Sequence, residues 1–232
     1  MNNSISVFLP TRKGSERVAN KNTRDFSGVN GGLLYLKLQS ILKLQNVDEI
    51  VLSTNDPASI DVGSRFKDSR LRIIERPESL CLSETKVSDL IAYVPTCVSS
   101  EHILWLHATT PFVGVEDYNQ AIEQYFKNLN NNSFDSLLSV NKLQQFLWDN
   151  DSRRMINFDI EGGNWPRTQD LRPLYEVNHA FYISSKSNYL KYNNRVTPNL
   201  DIFILGAIKS LDVDLEDDFL IAEAIYDRLY KV

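Results

Sequence analysis

The chain has 232 residues, 42% of them hydrophobic and 24% charged, with a formal net charge of −5. That is enough chain and apolar content for one full core of ordinary globular kind. The acidic balance argues against a nucleic-acid binder, and no apolar run reaches the roughly 20 residues of a membrane-spanning helix, so neither nucleic acid nor membrane is expected as a partner.

Residues 1–4 lead straight into a strand without a signal-peptide pattern, and Cys81 and Cys97 have no metal-ligand spacing. Reduced thiols in a cytoplasmic protein are therefore expected. The first apolar run, 5–9, is rich in strand formers and is stopped by Pro10, the pattern of a buried parallel strand. The loop after it holds Arg12, Lys13, Arg17 and Lys21, with Gly14 and Ser15 at its centre. Cationic side chains and the N–H groups of a Gly-Ser turn can wrap a polyphosphate. The loop is neither a Walker A loop nor a GxGxxG turn, and a solvated basic loop is the alternative.

Gly31-Gly32 opens a helical run with Leu34, Leu38, Ile41 and Leu42 on one face. Residues 49–54 form a second strand, and Asp56-Pro57 suits the start of a helix. A third strand at 71–74 is broken by Arg76-Pro77, and a helix over 86–94 stops near Pro95. Residues 102–107 are apolar almost throughout and predict a central strand, followed by a loop at Ala108-Thr109-Thr110-Pro111. His102 at the start of that strand and Trp105 within it read as structural. An amphipathic helix over 116–129 and a fifth strand at 136–140 come next. Residues 141–178 are less regular and carry Trp148, Trp165, Pro166 and Pro173, as in a segment that lids a site or meets a partner subunit. Strands resume at 180–184 and 201–208, and a helix over 216–230 closes the chain, with first-turn acids suited to its dipole.

Short strands alternating with helices predict an α/β fold, a mainly parallel sheet with helices on both faces. A single domain over 1–232 would carry an irregular lid or dimerisation excursion at about 141–200. The polar loops 11–22, 53–56 and 107–111 all leave carboxyl ends of strands and should converge on one cleft. Asp212-Val213-Asp214 adds two carboxylates on alternate residues, able to face one cation; an oxygen-only pair suits Mg²⁺, and a solvated acidic turn is the alternative.

Leu9-Pro10-Thr11-Arg12-Lys13-Gly14-Ser15, with Lys21-Asn22, resembles the opening motif of the acylneuraminate cytidylyltransferases, the CMP-sialic acid synthetase family. Further segments are similar in the same order: Arg76-Pro77 to Leu80, Leu106-His107-Ala108-Thr109-Thr110-Pro111, Arg167-Thr168-Gln169 to Asn178-His179-Ala180-Phe181-Tyr182, and Asp212-Val213-Asp214. The resemblance spans nearly the whole chain. It implies a Rossmann-like nucleotidyltransferase fold, a homodimer, and Mg²⁺-dependent joining of CTP to a nonulosonic acid. It also implies roles. Arg12 and Lys21 would neutralise the triphosphate, with Ser15, Asn22 and Arg76 at the nucleotide. Asp212 and Asp214 would hold the metal. His107, Thr109, Gln169, Asn178 and Tyr182 would serve the sugar. Arg167 is the expected partner of the sugar carboxylate, since a guanidinium fork matches it.

Departures from the family pattern fall mostly on the sugar side: Ser83 for aspartate, His107 for glutamine, Val113 for arginine and His179 for glycine. Residues 191–199 match no motif. A nucleotide-sugar glycosyltransferase would carry its acid pair in mid-chain, and a non-catalytic nucleotide-binding relative would have no need of intact Arg12, Lys21, Asp212 and Asp214.

Overall fold

Strand-forming runs with no polar face can only be satisfied in the middle of a sheet covered on both sides. In the computed structural model, which describes residues 3–15, 17–159, 162 and 164–231, β1 (Ile5–Pro10) is such a strand, with Ile5 to Leu9 fully buried. It pairs in parallel with β2 (Glu49–Thr54) on one side and with β4 (His102–Leu106) on the other, and β3 (Leu71–Glu75) lies parallel to β2. Beyond β4 comes β8 (Leu174–Ser185), antiparallel to both β4 and β5 (Ser136–Leu143), and β9 (Leu200–Leu205) runs parallel to β5. The seven-stranded order is β3-β2-β1-β4-β8-β5-β9.

The pleat sends alternate residues to opposite faces. Val7, Leu9, Leu104 and Leu106 join a cluster with Leu34 and Leu38 of α1 (Gly32–Ile41) and Tyr118 of α4 (Val115–Asn130). Phe8, Ile103 and Trp105 join a second cluster with Ile91 and Val94 of α3 (Val87–Cys97) and Tyr189 of α5 (Lys186–Tyr192). α2 (Pro57–Ser64) starts as expected, Asp56 accepting from the N–H groups of Ala58 and Ser59. A third cluster, Val18, Phe26, Leu33, Phe112, Val213 and Phe219, pins the basic loop against α6 (Glu216–Tyr230).

Five features depart from the sequence-based expectation. Helix α3 runs through Pro95 to Cys97, because a proline in the last turn removes one hydrogen bond while Val94 and Cys97 stay buried. Helix α5 and the ribbon of β6 (Trp148–Asp149) and β7 (Arg154–Met155) were not expected. β8 begins at Leu174, so the irregular excursion lies between β5 and β8 and does not extend to about 200. Finally, β8 reaches its place in the sheet through a register shift opposite Leu138 and Val140, where His179 takes a φ of 57°.

The Gly31-Gly32 step turns the chain from the basic loop into α1 with φ of 90° and 55°. A Cβ on Gly32 would stand 2.0 Å from the Arg24 carbonyl oxygen. Gly32→Ala should therefore cost about 1–3 kcal/mol or more, combining backbone strain with a clash. Gly206→Ala, exposed and with open space around the added carbon, should stay within about 0.5 kcal/mol of wild type. Urea denaturation of both variants checks this; equal stabilities would mean that the turn is not held as described.

Candidate active site

Backbone hydrogen bonds draw the loops at the carboxyl ends of β1, β2 and β3 together. Thr11 N–H donates to Ser53 O (3.0 Å), Arg76 N–H to Thr54 O (2.9 Å), and Lys13 N–H to the Asn55 side chain (3.0 Å). Beside them opens a cleft of about 390 Å³ lined by Arg12, Ser15, Lys21, Asn22, Arg76, His107 and Thr109, together with Arg17. The predicted nucleotide residues are therefore in one place, on the side of the sheet end where α/β folds bind ligands. A larger groove of about 1290 Å³ at the amino end of β1 mixes Lys43, Asp48, Glu123 and Lys127, and so offers no cationic cradle.

The acid pair comes to this cleft from the far end of the sequence. Val213 is fully buried, and its N–H donates to the Thr109 carbonyl at 2.9 Å, which leaves the flanking Asp212 and Asp214 on the opposite side. Lys21 Nζ and Arg17 Nη2 each lie 3.0 Å from Asp214 Oδ1. The Asp218 carboxylate accepts from the N–H groups of Asp214 (3.0 Å) and Leu215 (2.7 Å), so a first-turn acid of α6 both caps the helix and fixes the pair. Glu216 pairs with Arg24 at 2.8 Å.

The two carboxylates differ in charge environment. Partial burial favours protonation of Asp214, but the Lys21 hydrogen bond and charge, with Arg17 and His179, outweigh it and hold the carboxyl below the usual carboxylate range. Asp212 is pushed up, by burial first and by the charge of Asp214, against the opposing Thr109 hydrogen bond and the charges of Lys21 and His179. Its Oδ1 is buried without a hydrogen-bond partner among the described residues.

Cations on the other wall are braced. Arg12 donates to Cys81 O at 3.2 Å. Arg76 is buried, donates to Thr11 O at 2.6 Å and to Cys81 Sγ at 3.1 Å, and keeps Nη1 unpartnered among the described residues. Lys37, which the sequence reading passed over on the apolar face of α1, is buried and bonds Thr110 O (2.8 Å), Val113 O (3.1 Å) and Tyr118 Oη (2.7 Å). It ties the loop that carries Thr109, and burial lowers its pKa to about 7.

The sugar-side expectations divide. His107 lines the cleft, but its Nε2 accepts from Trp105 Nε1 at 2.8 Å and its ring also bonds the His179 backbone. It shapes the wall and does not present a free donor and acceptor. Asn178 is buried in the β8 irregularity, bonding Ser139 Oγ (2.6 Å), Ala180 N (3.2 Å) and Asn141 Oδ1 (2.9 Å), so its amide is consumed by the bulge. Arg167 and Gln169 lie outside the cleft, on the excursion. Arg167 is exposed and holds Asp170 at 2.8 and 3.0 Å, while the Gln169 carbonyl accepts from Gln144 at 2.8 Å. Tyr182 stands near the acid pair, its phenol raised by burial, with Arg195 lowering and Asp212 raising it. Two residues were missed as site residues. His179, whose charge bears on both aspartates, keeps the left-handed backbone that explains glycine at this place in the resembling family. Arg195 lies against Tyr182, in a segment where no motif signalled it. His102 is structural, its Nδ1 2.9 Å from Tyr125 Oη.

The profile of one family, the cytidylyltransferases, matches residues 6–196. The chain belongs to the cytidylyltransferase family. Pseudaminic acid cytidylyltransferase of Campylobacter jejuni is 26% identical over 222 residues, covering 94% of each chain. N-acylneuraminate cytidylyltransferase of Streptococcus agalactiae is 23% identical over 219 residues, 92% of this chain and 51% of that one. Among solved structures, a CMP:2-keto-3-deoxy-manno-octonic acid synthetase complexed with CTP superimposes with a TM-score of 0.68 at 14% identity, covering 97% of this chain and 99% of that one, a likeness of fold. The seven-stranded sheet of this cytidylyltransferase is thus the Rossmann-like nucleotidyltransferase sheet.

Burial first, then the charges of Arg195 and His179, push the His107 pKa down to about 3. Folding therefore costs His107 its proton below the unfolded value of about 6.5. The stability it contributes is complete above that pH and is lost as pH falls towards 3. Burial lowers His102 in the same direction. Urea midpoints should fall between pH 6.5 and 5, and His107→Gln should make that decline shallower. An unchanged slope in the variant would show that His107 is not buried in neutral form.

Proposed function

We propose that this cytidylyltransferase joins CTP to a nonulosonic acid, a sialic-acid-like 2-keto sugar acid, giving a CMP-sugar and pyrophosphate. The observation that carries this reading is the convergence of Arg12, Arg76 and Lys21 with a split acid pair at the end of β4. Two relatives that act on such sugars by name support it. A glycosyltransferase reading is disfavoured because Asp212 and Asp214 immediately precede the C-terminal helix.

Mg²⁺ fits the acid pair. Asp212 Oδ1 is buried and unpartnered among the described residues, and Asp214 adds a second carboxylate two residues on. Hard divalent cations with several retained waters and phosphate oxygens take such open carboxylate sites. Asp212 and Asp214 would hold the ion, which when bound supplies positive charge at the phosphates and acidifies a nearby hydroxyl.

The chain's own residues do the positioning. Arg12 and Arg76 stand where a triphosphate enters, and the Ser15 and Asn22 side chains offer hydrogen bonds to the nucleotide. Lys21, released from Asp214 when phosphate arrives, neutralises charge as pyrophosphate departs. The sugar's anomeric hydroxyl attacks the α-phosphorus in line, its oxygen forming the new P–O bond as the bond to pyrophosphate breaks and its proton passing to solvent, a reaction governed by alignment and charge. Assembly as a homodimer through the excursion accords with its exposed apolar residues, Trp148 at 51%, Ile156 at 46% and Trp165 at 69%. The buried free thiols of Cys81 and Cys97 accord with the cytoplasm, and no helix among the described residues is long and apolar enough to cross a membrane.

Incubation with CTP, Mg²⁺ and a panel of nonulosonic acids should release pyrophosphate and form a CMP-sugar with at least one of them. Release with none, or equally without sugar, would sink the reading. Asp212→Asn and Asp214→Asn should each lower turnover roughly 100-fold or more while keeping the far-ultraviolet circular dichroism of the fold. Near-normal rates in both would remove the metal from these residues. Lys21→Ala should lower kcat more than it raises the sugar KM; the reverse pattern would move Lys21 to the sugar side.

A further inference from the structure

Arg195 lies between α5 and β9, in the stretch without a motif. Its guanidinium carbon is 3.7 Å from the centroid of the Tyr182 ring and 4.9 Å from that of Trp105, and Nη2 donates to the Tyr182 hydroxyl at 3.0 Å. The side chain is half-buried. The groups that favour its charge are two phenols, Tyr182 and Tyr189, and burial raises both, so both are neutral near pH 7. No carboxylate pairs with Arg195 among the described residues. A charge taken partly out of water is ordinarily matched by an opposite one. Two aromatic faces offset part of that cost, and among the described residues the guanidinium donates a hydrogen bond to the neutral Tyr182 hydroxyl and to no carboxylate.

Position gives the uncompensated charge its meaning. Trp105 and Tyr182 are direct partners across β4 and β8, and His107 follows at the mouth of the cleft. The Tyr182 hydroxyl also meets His179 Nδ1 at 2.5 Å, and His179 in turn acts on both aspartates. Arg195 thus stands across Tyr182 and His179 from the acid pair, and its charge reaches His107. In a nonulosonic acid the carboxylate is bonded to the carbon that bears the attacking hydroxyl. The cation that holds the carboxylate therefore sets the direction of the hydroxyl. Arg167, the candidate from sequence, is 73% exposed and already paired with Asp170.

We propose that Arg195 binds the carboxylate of the sugar acid, stacked in place by Tyr182 and Trp105, and so selects 2-keto acids over neutral sugars. The proposal rests on the nonulosonic-acid reading above. Its distinguishing test is recognition of one functional group. The probes are N-acetylneuraminic, legionaminic and pseudaminic acids, each also as the C1 carboxamide, titrated calorimetrically into the full chain with CTP present.

The wild type should bind its preferred acid at least about tenfold more tightly than the amide, as expected for a charge-assisted pair. Arg195→Met should bring the two affinities within about twofold by weakening the acid alone, with CTP affinity unchanged. Arg195→Lys should restore part of the preference. The thermal midpoint and CTP affinity of each variant report its folding. If Arg195→Met keeps the wild-type acid-to-amide ratio, or weakens both ligands equally, Arg195 is a structural stack and the proposal falls. It falls equally if the wild type does not distinguish acid from amide. Discrimination by the wild type that Arg195→Met abolishes, without pyrophosphate release from any acid, would support the carboxylate site and overturn only the transfer reaction.

Discussion

The contacts on which the site depends are long-range: the backbone tie from Val213 to Thr109, reinforced by the Lys21–Asp214 ion pair, whose residues stand 193 positions apart. A carboxylate pair before the last helix has no chemistry by itself. Buried Val213 and the Asp218 cap set it against the end of β4, where the basic loop from β1 also ends. The resting ion pair is only partly buried, its Asp214 side chain 44% exposed, so it is a weak source of stability. On the proposed reading it keeps a cation and an acid where a triphosphate and its metal would bind.

The uneven state of the pair follows from the same geometry. Asp214 has two cations and a depressed pKa, whereas Asp212 has a buried oxygen with no donor among the described residues. An unsatisfied buried carboxylate oxygen calls for an explanation, and a bound ion is one that the proposed reading supplies. Arg76 Nη1 is a second such orphan on the opposite wall. Unpaired charge of both signs around one cleft is what a magnesium-nucleotide polyphosphate would complement.

Much of the sheet could be read from the sequence, because apolar runs bounded by Pro, Asn and Asp mark buried strands whatever their neighbours. The direction of β8 and its insertion between β4 and β5 could not, since strand pairing is non-local and both orientations satisfy the same run of residues. Pro95 misled because its penalty depends on distance from the helix end. In the site, Arg12, Ser15, Lys21, Asn22, Asp212 and Asp214 came from contiguous motifs and converge. Asn178 and Arg167 were expected at the sugar from the same kind of signal, yet one is spent on a bulge and the other on an exposed ion pair. Arg195 was not legible because what defines it, Tyr182 and Trp105, lies on other strands. His179 was visible as a departure from glycine, but its left-handed backbone was not.

On the proposed reading the acid pair and the basic loop form one metal-triphosphate site. Its most direct measurement is the binding of Mn²⁺, as a paramagnetic stand-in for Mg²⁺, followed by electron paramagnetic resonance with and without CTP. The wild type should hold Mn²⁺ far more tightly when CTP is present, and Asp212→Asn should abolish the gain although CTP still binds. Mn²⁺ binding that is the same in Asp212→Asn and wild type, at every CTP concentration, would contradict that reading.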